Sequence, residues 1–215
     1  MSVPFQLVLL TAPTAQPDEP RVLAELLAQD LGRLHLRKPG WPAAQLEALI
    51  QALPPAFYSC LVLHAYPKLV RRYRLGGLHL TERARAAARR RPALLPGQTL
   101  STSFHSLAEI NRTRRRYDYV FLSPIFDSIS KEGYASNFDL GDLQRSFRVQ
   151  ATRPGHWPPV LALGGIGAQT VGQVRQVGFA GAAVLGAVWQ SPDPVAAWRQ
   201  VAQASAASQS FHTGS

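Results

Sequence analysis

Apolar, β-prone runs of a few residues recur along the whole chain and are separated by longer segments of helical period. The runs are FQLVLL (5–10), RLHLR (33–37), CLVLH (60–64), GGLHL (76–80), QTLS (98–101), YVFLS (119–123), VLALGG (160–165) and GAAVLG (181–186). Several are nearly continuous in apolar residues, as expected of strands covered on both faces. Between them, PAAQLEALIQAL places Leu46, Leu49, Ile50 and Leu53 at i, i+3, i+4 and i+7, the stripe of an amphipathic helix. Strand followed by helix, repeated, predicts parallel strands joined by crossover helices. Eight such units in 215 residues predict an α/β fold, a compact (β/α)8 TIM barrel, with a doubly wound open sheet as the alternative. No break in composition divides the chain, so one barrel domain over 1–203 and a flexible polar tail over 204–215 are expected.

A barrel places chemistry at the C-terminal ends of its strands. The residues expected there are His35 and Arg37 after the second strand, His64 after the third, and His79 and Glu82 after the fourth. Ser101, Ser103 and His105 follow the fifth strand, and Ser128, Ser130 and Lys131 the sixth. Gly164 and Gly165 close the seventh and Gly186 the eighth. Turn chemistry by itself does not call for His, Arg and Lys at such places.

The segment YVFLSPIFDSISKEGY (119–134) begins as a core strand and ends in alternate hydroxyls and a lysine, groups suited to a phosphate. In LALGGIGAQTV the strand passes through two glycines toward a helix expected near Ala168. Glycine lets backbone N–H groups approach an oxyanion, and a helix N-terminus adds a favourable dipole. A phosphate commonly sits in barrels beyond strands seven and eight.

Composition narrows the class. Apolar residues make up 46% of the chain, enough for a substantial core. The single cysteine, Cys60, excludes an internal disulfide and a cysteine-based zinc site. No apolar run approaches about 18 residues, so no membrane span is expected. The opening MSVPFQLVLLTAP lacks a basic region and has a short apolar stretch, so a cytoplasmic protein is expected. Net charge is +10, with arginines bunched in RRYR (71–74), RARAAARRR (83–91) and RTRRR (112–116). These read as solvated helix faces and helix ends. Without zinc-finger spacing or an RNA-binding aromatic signature, no nucleic-acid partner is expected.

Five segments, in order, resemble the thiamine phosphate synthase/TenI superfamily of (β/α)8 barrels: LHLRKPG, LGGLHLTE, STSFHSLAEI, DYVFLSPIFDSISKEGY and the ending VLALGGI…GFAGAAVLGAVW. The resemblance implies a thiamine-biosynthesis enzyme acting on small phosphorylated substrates. It implies that Ser128, Ser130 and Lys131 contact phosphate, and that Arg37, with His35 and His64, holds the other end of the substrate. Backbone groups near Gly165, Leu185 and Gly186 would hold a thiazole phosphate. The family often forms dimers, so a homodimer is implied as well.

One departure bears on activity. Synthases of this family join a pyrimidine pyrophosphate to a thiazole phosphate with Mg²⁺ held by aspartates after strands three and four. Here those places read LVLHAYPK and LHLTERAR, without either aspartate and with only Glu82 as a partial substitute. The TenI branch lacks the aspartates, needs no metal and moves a proton to aromatise a carboxythiazole phosphate. The resemblance therefore leans to a thiazole tautomerase with no metal, with His105 as proton carrier and Ser103 beside it. The alternatives are a working synthase that recruits Mg²⁺, and a non-catalytic barrel that kept the phosphate pocket. A less favoured reading is a metal site, because His35, His64, His79 and His105 fall on one barrel face.

Overall fold

The computed structural model describes residues 4–29, 31–127 and 138–207. Eight parallel strands close into a barrel in chain order: β1 (Gln6–Leu10), β2 (Leu34–Leu36), β3 (Leu61–Leu63), β4 (Gly77–Leu80), β5 (Thr99–Phe104), β6 (Tyr119–Leu122), β7 (Val160–Leu163) and β8 (Gly181–Val184). Closure is made by β1 against β8, with Gln6 opposite Gly181 and Leu9 opposite Val184. Outside lie α1 (Glu19–Leu27), α2 (Ala43–Gln51), α3 (Pro67–Arg72), α4 (Glu82–Ala87), α5 (Leu107–Arg112), α6 (Leu140–Ala151), α7 (Val171–Val177), the short α8 (Gly186–Trp189) and α9 (Pro194–Ala207). The open doubly wound sheet is thereby excluded. No helix among the described residues is long and apolar enough to cross a membrane.

The near-continuous apolar runs have a direct cause: both faces of every strand are covered. One parity, including Leu9, Leu34, Leu36, Leu63, Leu80 and Val120, packs outward against helix stripes such as Leu46, Leu49 and Ile50 of α2. The opposite parity fills the barrel, and there the two halves differ. Val8, Leu10, Tyr119, Phe121, Leu161 and Ala183 form one apolar cluster, supplied by β1, β6, β7 and β8. On β2, β4 and β5 the corresponding inward positions carry His35, His79 and Ser101, all buried. A polar column therefore stands against an apolar wall inside one barrel.

Three boundaries differ from expectation. β5 runs to Phe104, so Ser101 and Ser103 lie within the strand and not beyond it. The helix expected near Ala168 begins at Val171, after a turn in which Thr170 Oγ1 accepts from Gly167 N at 2.9 Å and donates to Gly165 O at 2.9 Å. The C-terminal helix α9 continues through Ala207 and buries Ser205, past the expected start of the tail at 204. Trp198 and Val201, buried one turn apart, carry that helix onto the core.

Candidate active site

The polar column rises from the barrel floor to its mouth. At the floor, Arg33 donates to Thr99 Oγ1 at 2.8 Å and stacks its guanidinium 4.8 Å from the Tyr119 ring centroid. Above it the Tyr119 hydroxyl lies 2.7 Å from His35 Nε2, and His35 Nδ1 lies 2.9 Å from His64 Nε2. Beside this chain, His79 bonds Ser101 Oγ through Nδ1 at 2.9 Å and Ser103 Oγ through Nε2 at 3.1 Å. The His64 and His79 rings stack at 4.2 Å, and His79 stacks on Phe121 at 5.1 Å.

Burial decides the charge of this group. Enclosure disfavours an imidazolium, and each neighbouring positive charge disfavours it further. His35 is driven well below the ordinary histidine value by burial, then by His79 and Arg33. His64 follows for the same first reason, with His79, His35 and Arg37 adding to it. His79 is pushed down to about 3 by burial and then by Arg37. Three neutral imidazoles near neutral pH result. In the neutral state the Tyr119–His35–His64 chain has two polarities, which leave His64 Nδ1 either bare or protonated.

Nitrogens of His35, His64 and His79 lie within 4.8 Å of one another, close enough to suggest a metal site; His105 is not among them. The rings are oriented otherwise. Two imidazoles on one tetrahedral ion at ~2.0–2.1 Å point at a common centre, whereas His64 and His79 lie nearly parallel at 21°. Both ring nitrogens of His35 and of His79 already have hydrogen-bond partners. The trio is best described as a neutral hydrogen-bonded cluster.

His35 accordingly needs correction as a ligand-contacting residue. It is fully buried with both nitrogens engaged, so it supports His64 from within the barrel. His64, half-buried at the end of β3, is the member nearest the mouth. Arg37 follows β2; Thr11 Oγ1 accepts from its N–H at 2.9 Å and donates to its carbonyl at 3.3 Å. The guanidinium forms no ion pair among the described residues, which leaves it for an anion. The adjacent Lys38 turns inward: its Nζ, fully buried, meets Glu19 Oε1 at 2.5 Å and Thr14 O at 2.8 Å. That ion pair ties the β1–α1 and β2–α2 connections together under Arg37.

His105 stands beyond the end of β5 and is exposed. Local sequence places it. In HSLAE, Ser106 Oγ accepts from Glu109 N at 3.2 Å, and Glu109 Oε2 reaches back to His105 N at 2.8 Å. The reciprocal arrangement starts α5 and holds the residue before it. Its Nδ1 lies 2.9 Å from the Ser123 carbonyl. A carbonyl only accepts, so Nδ1 carries the proton and Nε2 of the neutral ring is bare. Ser103, two residues earlier with the same inward parity, bonds His79, and its hydroxyl links the interior cluster to the β5 end.

The glycines of β7 meet a neighbour closer than any ligand. Gly164 has φ 98° and a Cβ there would lie 2.9 Å from Pro124; Gly165 has φ 62° and its Cβ would lie 2.6 Å from that of Phe126. Ile125 N and Phe126 N donate to Leu163 O and Gly164 O at 3.0 and 3.2 Å. These glycines thus seat the β6–α6 connection, and the expected helix N-terminus behind Gly165 is absent because α7 starts at Val171. Leu185 and Gly186 close β8, where Gly186 and Ala187 open α8 and, as first-turn residues, have N–H groups without an intrahelical acceptor. Trp189 Nε1 donates to Leu10 O at 2.6 Å and pins that turn to β1. Ser128, Ser130 and Lys131 lie outside the described residues.

Sequence reasoning passed over Tyr119, Thr11 and the Lys38–Glu19 pair. Inward parity would have found Tyr119, which shares its face with Phe121; nothing local marks Lys38 as buried.

The family model for thiamine monophosphate synthase, TMP-TENI, matches residues 7–188. The chain belongs to this family. It is 27% identical over 138 residues to a thiamine-phosphate synthase of Psychrobacter sp., covering 62% of each chain. It is 30% identical over 122 residues to one of Desulfitobacterium hafniense, covering 56% of each. The matched region thus spans less than two thirds of these curated relatives. Among solved structures, a thiamine phosphate pyrophosphorylase from Bacteroides thetaiotaomicron superposes with a TM-score of 0.78 at 27% identity, covering 94% of this chain and 98% of that one. The Pyrococcus furiosus thiamine phosphate pyrophosphorylase, at 18% identity and a TM-score of 0.72, shares the fold.

Proposed function

We propose that this TMP-TENI barrel is a thiamine-biosynthesis enzyme acting on a thiazole phosphate, and within that class a thiazole tautomerase. One observation carries the reading: exposed His105 has Nδ1 committed to the Ser123 carbonyl and presents a bare Nε2 at the barrel mouth. A group of that kind removes a proton from one ring position of the substrate and returns it to another, leaving composition unchanged. The Ser123 carbonyl stabilises the transient imidazolium. Arg37 faces the anionic end of the substrate, and Ser103 links the site to the neutral histidine cluster. Ser128, Ser130 and Lys131 are assigned the phosphate by family resemblance, with the amides at Gly165 and Gly186.

The Mg²⁺ of the family's synthases does not fit the residues present. β3 ends in His64, Ala65 and Tyr66, with the Tyr66 hydroxyl donating to Trp41 O at 2.6 Å, and β4 ends before the single carboxylate Glu82. That donor set falls short of a hard-oxygen site, so no step is routed through the ion. The second reading, a thiamine phosphate synthase, is favoured by the names of the relatives, which are synthases and pyrophosphorylases.

The deciding experiment offers purified protein a carboxythiazole phosphate alone, and separately thiazole phosphate with pyrimidine pyrophosphate, each with Mg²⁺ and with EDTA. Isomerisation insensitive to EDTA, without pyrophosphate release, is expected. Mg²⁺-dependent pyrophosphate release at ordinary enzyme rates, on the order of 1–10³ s⁻¹, would establish the synthase instead. Tight ligand binding with neither turnover would leave a regulatory barrel.

A further inference from the structure

At the barrel end opposite the mouth, a cavity of about 300 Å³ opens between α5, α6 and the connections entering β6 and β7. Its wall holds Arg114, Arg115, Arg116 and Arg153 together with His156 and Trp157, and no aspartate or glutamate. We propose that this cavity is a binding site for a small anion carrying two linked phosphates, either free or as a nucleoside diphosphate. The proposal is independent of the reaction at the mouth.

The charge of this wall has no counter-charge in it. Some arginines on this surface find carboxylates, as Arg21 does with Glu25 at 2.6 Å and Arg72 with Glu47 at 2.7 Å, but none of the four here does among the described residues. The carboxylate nearest in sequence, Asp118, is already engaged: its Oδ2 accepts from Leu100 N at 2.7 Å and from Arg91 at 3.2 Å. The Asn111 amide oxygen, also in the wall, accepts from Trp157 Nε1 at 3.1 Å and from Gln150. Four arginines therefore line one concavity without a carboxylate among the lining residues.

Arg115 Nη2 donates to Ala88 O at 2.6 Å, which fixes that guanidinium, whereas Arg114, Arg116 and Arg153 form no ion pair among the described residues. Planar guanidinium forks match phosphate oxygens in pairs. A diphosphate carries more negative charge than a monophosphate and offsets more of that of the wall. Trp157 supplies an aromatic wall for an organic portion, and the volume lies at the small end of ligand sites. The RTRRR run thereby becomes a recognition element assembled with an arginine far along the chain.

The test is calorimetry on the full chain at low salt without divalent metal, with inorganic pyrophosphate and with ADP as separate probes. Arg114→Glu and Arg153→Glu, both exposed, alter this cavity; Arg37→Glu alters the mouth. Circular dichroism confirms that each variant is folded. Binding of at least one probe is expected, weakened about tenfold or more by either cavity variant and unaffected by Arg37→Glu. A preference for ADP would identify the nucleotide form, and equal affinity the free diphosphate. No binding of either probe, or binding lost only in Arg37→Glu, would overturn the proposal. So would binding of single-stranded RNA with neither small anion bound, which would make the arginines an extended polyanion surface.

Discussion

Acidification should unfold this barrel through its own interior. His35, His64 and His79 all have pKa values lowered in the folded state, chiefly by burial. The unfolded chain, with imidazoles near ~6.5, therefore binds more protons than the folded one below that pH. The stability these groups contribute is fully present above about pH 6.5 and is lost as pH falls toward the folded values; for His79 the window reaches down to about 3. At pH 5 His79, held down to about 3 in the fold, lowers stability by roughly 2 kcal/mol, from 1.36 kcal/mol per unit over about 1.5 units. His35 and His64, also lowered by burial, act in the same direction, against a typical total of about 5–15 kcal/mol for a folded domain.

His79→Phe isolates one ring of the three. Phenylalanine keeps a flat ring where His79 stacks between His64 at 4.2 Å and Phe121 at 5.1 Å. It leaves the Ser101 and Ser103 hydroxyls without their partner, so the variant should be less stable near pH 7 by about 1–3 kcal/mol. Between pH 7 and pH 5 it should then lose at least about 2 kcal/mol less than the wild type, because one ring no longer titrates and no His79 charge opposes protonation of His35 and His64. Urea unfolding at three pH values in that interval measures both slopes. Parallel slopes would mean that His79 takes up its proton as readily in the folded barrel as in the unfolded chain, and the neutral-cluster description would fail.

His105→Asn should slow proton transfer by about 10²–10⁴ while leaving substrate binding intact, since asparagine hydrogen-bonds but does not titrate; single-turnover kinetics on the folded variant check this, and wild-type rates would pass the catalytic role to His64. Gly165→Ala forces a side chain into φ 62° with its Cβ 2.6 Å from that of Phe126, so a loss of about 2–4 kcal/mol is expected in denaturant unfolding. Lys38→Ala strands the buried Glu19 carboxylate and should cost about 3–5 kcal/mol, with much of it restored in Lys38→Met/Glu19→Leu; equal stability of single and double variants would deny the pair its structural role.

The barrel was legible because periodicity is a local property. Each of the eight apolar runs became a strand, in order, since a parallel strand buried on both faces must be apolar whatever surrounds it. The short motifs carried the family and the positions of Arg37, His64 and His105 at strand ends for a related reason: a residue's place relative to its own strand follows from its number. What lies across the barrel does not. Whether His35 meets a ligand or a buried tyrosine depends on the register that brings Leu10 beside His35 and Ser101 beside Tyr119. Gly164 and Gly165 read as an anion cradle in one dimension, and the fold gives them a further role, the clearance that lets the 124–127 segment lie on β7. Lys38 and Glu19 are separated by 19 positions and neither carries a mark of burial; the closing of two loops made them a pair. Likewise RTRRR is an ordinary charged run until the fold sets Arg153 and Trp157 beside it. Burial, charge state and partnership are properties of neighbours distant in the chain, and only chain closure into a barrel chose those neighbours.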